Sequence, residues 1–416
     1  MKKLPFYTGL PDHIKRLLNY GVILFLLGVG DAIMSYYAPI YIENTVKNGF
    51  LMGLILAVSS LVGVVSDFLL SRISKERSFR IFFISAIVGG ILFPISLLFF
   101  PPWIPILLFA MTAWGIYYEL IGFSNFVFVK EHIPHDKYPT AWGIIETLKA
   151  SAYFIGPILA IFLIDKGPHA PFIGSLAFYF SCFIAFAFLF SLKIHKHTRV
   201  TALVEQEKIS VRQTLGVWWT LLKRVYPLYI FLFILSFVDA TFWSVGTVFS
   251  ETLKDTSMLG RFIIPVYMLP SLGLSVFAGP AAKPFGKKRI AFLCGIVMGL
   301  GLLTVGFVHN VHLILIAIFF SSVFSAIALP EVAASFEDYV ERLGSAGSNM
   351  IGLQGSAVSL AYIIGPIVAG TLSGIVGNQK TFAVVGGIVL IVSIIVLIIT
   401  PRKLKMPQAE IQEGTR

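Results

Sequence analysis

Ala152-Tyr153-Phe154-Ile155-Gly156-Pro157-Ile158-Leu159-Ala160 sits inside an apolar run in the first half of the chain. It returns in the second half as Ala361-Tyr362-Ile363-Ile364-Gly365-Pro366-Ile367-Val368-Ala369. The offset of 209 residues is about half of the 416-residue sequence. Other pairs keep nearly the same spacing: Asp31-Ala32 with Asp239-Ala240 and Glu43 with Glu251 at 208, and Glu119 with Glu331 at 212. Several pairs near one offset argue for two homologous halves. In a membrane protein built this way, a ligand site near the midplane between the repeats is the physical expectation.

Composition says which solvent the halves fold in. Hydrophobic residues make up 57% of the chain and charged residues 13%, with a mean hydropathy of +0.86. A soluble domain carries about 25% charged residues, so a soluble enzyme is excluded, as are collagen-like, disordered and disulfide-rich classes. Cys182 and Cys294 each lie in an apolar run without metal-ligand spacing, so neither a disulfide nor a metal site is expected. A membrane-crossing helix needs about 20 apolar residues because its backbone must be satisfied internally. Twelve such stretches occur, at 18–42, 50–72, 79–100, 103–129, 140–164 and 171–192, then 225–250, 260–283, 289–309, 311–336, 346–374 and 380–400. The expected fold is therefore an all-α membrane protein of two pseudo-symmetric six-helix bundles, 1–192 and 225–400. A cytoplasmic linker, 193–224, joins them, and a cytoplasmic tail, 401–416, follows.

With both termini placed in the cytoplasm, 26 of the 32 Lys and Arg residues fall in cytoplasmic segments. Lys47, Lys166, Lys254, Arg261 and Lys380 fall outside, and Lys149 lies within a span. That asymmetry obeys the positive-inside rule. It also explains the net charge of +11 without any nucleic-acid partner. Residues 1–17 lack the apolar core and cleavage site of a removable signal peptide, so the first span is expected to direct insertion. In the linker, Ser210 is placed to cap a short helix whose apolar Val211, Leu215, Trp218, Trp219 and Leu222 fall near one face. Lys208, Arg212, Lys223 and Arg224 flank it, which suits a helix lying at an anionic inner leaflet. A plain tether between the halves is the simpler reading of the same residues.

Twelve spans in two sixes, with a basic loop after spans 2 and 8, resemble the major facilitator superfamily of secondary transporters over essentially the whole chain. The family's signature after span 2 appears as Gly63-x-x-x-Asp67, then Ser71-Arg72, with Leu70 where the family has Gly. The second copy is Gly279-x-x-x-Lys283-x-x-Gly286-Lys287-Lys288-Arg289, with Lys283 at the Asp position. The resemblance implies that Gly63, Asp67, Arg72, Gly279, Lys283, Gly286 and Lys287 form a cytoplasmic latch. Small residues let helices approach closely, and an Asp can meet a helix N-terminus or an Arg.

A second motif, Gly143-(x)8-Ala152-(x)3-Gly156-Pro157-(x)2-Ala160, has the spacing associated with antiporters of this superfamily. It recurs as Gly352-(x)8-Ala361-(x)3-Gly365-Pro366-(x)2-Ala369-Gly370. It favours export slightly. Close helix packing at the small residues and a local bend at Pro explain it equally simply.

Asp31, Glu119, Glu146, Asp239 and Glu331 lie within spans. An ionised side chain at the bilayer centre costs about 2.5–3.5 kcal/mol on the insertion scale, so such residues face a cavity or a partner. Family resemblance puts spans 1, 4, 7 and 10 around a central cavity, and Asp31, Glu119, Asp239 and Glu331 fall one on each. Burial favours a protonated carboxyl and hydration an ionised one, so alternating access can move protons through such groups. Hydrogen bonding across helices is the alternative role. Glu146 and Lys149, three apart, share a helical face and form either a structural pair or a substrate contact.

Aromatic residues flank the acids: Tyr36 and Tyr37 after Asp31, Phe242 and Trp243 after Asp239, and Trp114, Tyr117 and Tyr118 before Glu119. Tyr36, Tyr37 and Trp243 are the preferred cavity aromatics, because a π face beside a carboxylate suits a cationic or ring-bearing ligand. The superfamily's efflux pumps place an Arg in span 4, and Trp103–Val129 has none. No Walker-type loop or His-Glu-x-x-His occurs, so neither an enzyme nor a cofactor is expected. The expectation is a monomeric transporter of a small-molecule solute in the plasma membrane of a prokaryote, with protons as coupling ion and antiport slightly favoured. The alternatives are a symporter or facilitator for a polar solute such as a sugar and, in another class, a membrane receptor or scaffold that moves nothing.

Overall fold

Apolar runs of this length satisfy their own backbone only as helices, and a computed structural model shows that they do. It describes residues 11–73, 78–190, 211–274, 286–344 and 347–401. Among these residues, all regular structure is helical. Span 1 is Asp12–Val46, span 2 Gly49–Ile73, span 3 Phe79–Phe99, span 4 Ile104–His132, span 5 Tyr138–Ile164 and span 6 Ala170–Phe190. In the second half, span 9 is Lys287–Val305, span 10 Val311–Leu343, span 11 Gly347–Val376 and span 12 Asn378–Ile399. Eleven described helices are long and apolar enough to cross a membrane.

Spans 7 and 8 depart from the simple pattern. The amphipathic segment read from the sequence as a short helix in the linker is continuous with span 7. One α-helix runs from Val211 to Thr241, and Ser210 lies outside the described residues. No residue between 211 and 226 breaks a helix, and its inner face finds protein: Leu221 is buried and Trp218 lies against Gly352 of span 11. Leu215 and Trp219 stay exposed, with the Lys223 ammonium 5.4 Å from the Trp219 ring. Directly after Asp239-Ala240-Thr241 the helix widens into a π-helical turn, Phe242–Gly246, before an α-helical end, Thr247–Leu253. Such insertions re-aim side chains and favour functional sites.

Span 8, expected as one helix, is broken within its described part. A 3₁₀ turn (Met258–Phe262), a short α-helix (Ile263–Met268) and a second 3₁₀ turn (Leu269–Leu272) follow one another. Pro265 and Pro270 each remove a backbone donor, which explains the interruptions.

Arg261, assigned by its position to an outer loop, is 1% exposed. Its Nε stands 3.3 Å from Glu251 Oε2, and Ser250 Oγ donates to the Arg261 carbonyl at 2.6 Å, so the end of span 7 is tied to the start of span 8. Removing one partner of a buried ion pair costs about 3–5 kcal/mol. Lys254 also bonds Glu251, so Arg261→Ala is expected at the lower end, about 3 kcal/mol. Thermal unfolding in detergent measures it. A melting temperature unchanged from wild type would mean that Lys254 alone satisfies Glu251.

The chain divides into two compact units, Met1–Thr45 with Val58–Thr201, and Val46–Ala57 with Ala202–Arg416. The early turns of span 2 thus group with the second half rather than the first. The reason is local, since Gly49 and Gly53 lie directly on the backbone of Gly370 and Pro366 in span 11, where no side chain would fit. In the first unit, span 1 is enclosed on a long face, with Tyr20, Ile23, Leu27, Ala32, Ile33 and Tyr36 all buried. Ser175 Oγ of span 6 donates to the Gly30 carbonyl at 2.7 Å.

Candidate functional site

The repeated Ala-Tyr-x-Ile-Gly-Pro segment has the same mechanical task in each unit. In the first, Gly156 sits on Ala32, the residue after Asp31. A Cβ there would lie 3.0 Å from the Ala32 carbonyl carbon and 3.1 Å from its Cα. Tyr153 lies three residues earlier on the same helical face, so seating Gly156 on Ala32 brings the Tyr153 hydroxyl onto Asp31 Oδ2 in a short hydrogen bond. In the second unit, Gly365 sits on Ala240, the residue after Asp239, with 2.8 Å between its notional Cβ and that of Ala240. Tyr362, again three residues earlier, donates to Asp239 Oδ2 in a short hydrogen bond.

Each Asp–Tyr pair has further donors. Span 4 supplies two to Asp31 from one helical stripe: Trp114 Nε1 donates to Oδ1 at 2.7 Å and the Tyr118 hydroxyl to Oδ2 at 3.2 Å. Trp114 is stacked on Phe93 of span 3 at 4.7 Å, and the Tyr118 and Tyr153 hydroxyls are 3.3 Å apart. Asp31 is 1% exposed. Asp239 is half-buried, and Tyr267, from the short helix of span 8, donates to its Oδ1 at 2.7 Å. Tyr267 stacks at 3.8 Å on Phe242, the first residue of the π-helical turn, so that turn supports the donor. Each site is a carboxylate clasped by hydroxyl or indole donors. Such a group can hold a charge in an apolar setting or take up a proton without large rearrangement.

The other candidate residues lie elsewhere or point elsewhere. Glu119 is half-buried, with Oε1 3.0 Å from where a Cβ on Gly63 would stand, so the small residue of the latch motif makes room for this carboxylate. Asp67, one turn beyond Gly63, is exposed and close enough to repel it. Glu331 is 3% exposed and its Oε2 has no hydrogen-bond partner among the described residues. One face of span 10 beyond it binds Lys287, whose Nζ lies 2.8 Å from Asp338 Oδ1 and 3.4 Å from the Ala334 carbonyl. Gly286 precedes it with φ +83, a left-handed conformation that glycine adopts without strain. Gly279 and Lys283 lie outside the described residues, and Arg72 lies in the last turn of span 2 with its side chain likewise outside them.

Glu146 and Lys149 face each other at 3.8 Å with both side chains well exposed. Tyr37 turns away from Asp31 and donates to the Pro168 carbonyl at 2.9 Å, packed on Phe172. Tyr36 is fully enclosed, and Trp243 is half-buried within the π-helical turn. Gly143 has open space around it, whereas Gly352 receives Trp218. Pro157 and Pro366 are buried inside their helices.

Sequence reasoning missed Tyr153, Tyr267 and Tyr362 as site residues. The signal for two of them was in plain view, since Tyr153 and Tyr362 stand inside the repeat itself, three residues ahead of each Gly-Pro.

Two helical units, each with a clasped carboxylate inside an apolar span, make this a polytopic membrane protein. The family model described as Major Facilitator Superfamily matches residues 20–260 and 228–416, and the chain belongs to that family. A variant of the nucleoside transporter NupG superposes with a TM-score of 0.77 at 12% identity, covering 93% of this chain and 100% of its own. A D-xylose-proton symporter does so with a TM-score of 0.68 at 13% identity, covering 92% and 98%. A POT family transporter in complex with a thioalcohol-conjugated peptide gives 0.68 at 14%, covering 93% and 96%. At these identities the likeness is one of fold. None of the curated proteins compared matches the chain in sequence.

Proposed function

We propose that this transporter is proton-coupled, moving a small polar solute by alternating access through the two Asp–Tyr sites. The observation that carries the reading is the recurrence of one device in both units: Asp31 with Tyr153, and Asp239 with Tyr362. A membrane protein keeps an intramembrane carboxylate at substantial energetic cost. Keeping two, at equivalent places and with equivalent hydroxyl partners, supports a role for this device in taking up and releasing protons. The positive-inside loops support both termini in the cytoplasm, and we place the protein, as a monomer, in a prokaryotic plasma membrane.

Export in exchange for protons is the direction that the antiporter-like spacing beginning at Gly143 slightly favours. A second reading, uptake by symport, is favoured by the finding that Gly156 and Gly365 do the same packing work in both units. It is in keeping with the D-xylose-proton symporter among the structural neighbours. Proteoliposomes separate the two. A panel of nucleosides, sugars, short peptides, amines and amino acids is tested with the lumen made acidic or alkaline. An antiporter concentrates its solute in an acidic lumen and a symporter in an alkaline one. The double variant Asp31→Asn/Asp239→Asn is expected to lose this gradient dependence. Transport that keeps its full pH dependence in the double variant would remove both aspartates from the mechanism.

A further inference from the structure

The two aspartate sites match in one donor and differ in the rest. Tyr153 and Tyr362 are related by the 209-residue offset of the repeat. The donors from span 4 have no such counterpart. Carried across at the offset of 212 that relates Glu119 to Glu331, Trp114 and Tyr118 correspond to Ala326 and Pro330 of span 10, which have no side-chain donor. The second unit draws instead on Tyr267, and its counterpart in span 2, 208 residues earlier, is Ser59.

Exposure follows this difference. Around Asp31, the Trp114 indole covers Oδ1 and two hydroxyls cover Oδ2. The stacked Phe93–Trp114 pair closes one side, and 1% of the residue remains accessible. Around Asp239, the titratable groups Tyr267 from span 8 and Tyr362 from span 11 bond the carboxylate, and the residue stays half-buried. The first of these donors stands on a six-residue helix between 3₁₀ turns and leans on a π-helical turn, a more yielding support than the continuous span 4.

We infer that the repeats have divided the work. Asp239 is the carboxyl that exchanges protons with water, and Asp31 is a positioning residue that ties spans 1, 4 and 5 together. This rests on the proton-coupled reading and narrows it to one of the two aspartates.

Chemical labelling tests it without any flux measurement. Dicyclohexylcarbodiimide reacts with a protonated carboxyl: the O–H adds across one C=N bond, and acyl transfer from oxygen to nitrogen leaves a stable N-acylurea with no atom lost. The full-length protein in detergent is treated at mildly acidic pH, and peptides are quantified by mass spectrometry. The expected result is Asp239 labelled at least about tenfold faster than Asp31, because a sealed group reacts only through local opening. In Asp239→Asn the label on that peptide should vanish, and in Asp31→Asn it should persist. Asp31 labelled as fast as Asp239 would overturn the division of work. The two levels fail separately. Differential labelling with flux indifferent to pH sinks proton coupling and leaves Asp239 as the accessible carboxyl. Equal labelling with pH-driven flux sinks only this inference.

Discussion

Gly156→Val is expected to unseat span 5 from span 1 and to rank among the most damaging single changes in the first unit. The first obstacle is the Ala32 Cβ, and behind it stand the Ala32 carbonyl carbon and Cα at 3.0 and 3.1 Å from the notional Cβ, main chain that inside a continuous helix yields little. Overpacking a well-filled site costs about 1–3 kcal/mol, and a backbone obstacle puts this case at the upper end. The displacement would also draw Tyr153 away from Asp31, adding a lost hydrogen bond to the steric cost. Gly365→Val makes the internal comparison, because its nearest obstacle is the Ala240 Cβ at 2.8 Å and the next lies at 3.7 Å on the Phe237 ring. A side chain there can be accommodated by a smaller shift. Melting temperatures in detergent should therefore fall more for Gly156→Val than for Gly365→Val. The reverse order would mean that the Gly-Pro segments do not set the helix seating as described.

That comparison also shows what the sequence makes legible. The repeat is readable because it is local: seven of nine consecutive residues recur unchanged, and a glycine three positions after a tyrosine must share its helical face. The aspartates are readable because a charge inside an apolar run stands out. What encloses each aspartate is set by helix rotation and crossing, which no local pattern records. Tyr37 follows Asp31 closely in sequence, yet helical geometry carries its hydroxyl to Pro168, while Trp114 and Tyr118 arrive from 83 and 87 residues away. Span 8 is a different case. Pro265 and Pro270 announce its interruption, and hydropathy averaging hides it, since an apolar window reads as one helix whether or not its donors are intact. Arg261 misleads for a related reason: a basic residue between two spans looks solvated until the Glu251 carboxylate is placed against it.

If Asp31 is a positioning residue, its removal should be felt as instability before it is felt as altered chemistry. Asp31→Ala leaves the Trp114 indole N–H and the Tyr118 and Tyr153 hydroxyls facing a void inside the unit. Hydrogen bonds between membrane helices average about 0.6 kcal/mol in double-mutant cycles, which puts the loss of three at about 2 kcal/mol. Bonds to a charged acceptor are stronger than neutral ones, and a buried donor left unsatisfied costs about 1–3 kcal/mol, so the total should exceed that figure. Asp31→Asn is the informative partner, because it keeps the shape and one acceptor oxygen while removing the charge. It should retain more of the melting temperature than Asp31→Ala. At Asp239, less enclosed than Asp31 and clasped from the broken span 8, the gap between the Ala and Asn variants should be smaller. Thermal unfolding of the four single variants measures both gaps. An Ala–Asn gap at position 239 as large as that at position 31 would show that the two clasps are equally structural, and the asymmetry in their exposure would then have no counterpart in their energetics.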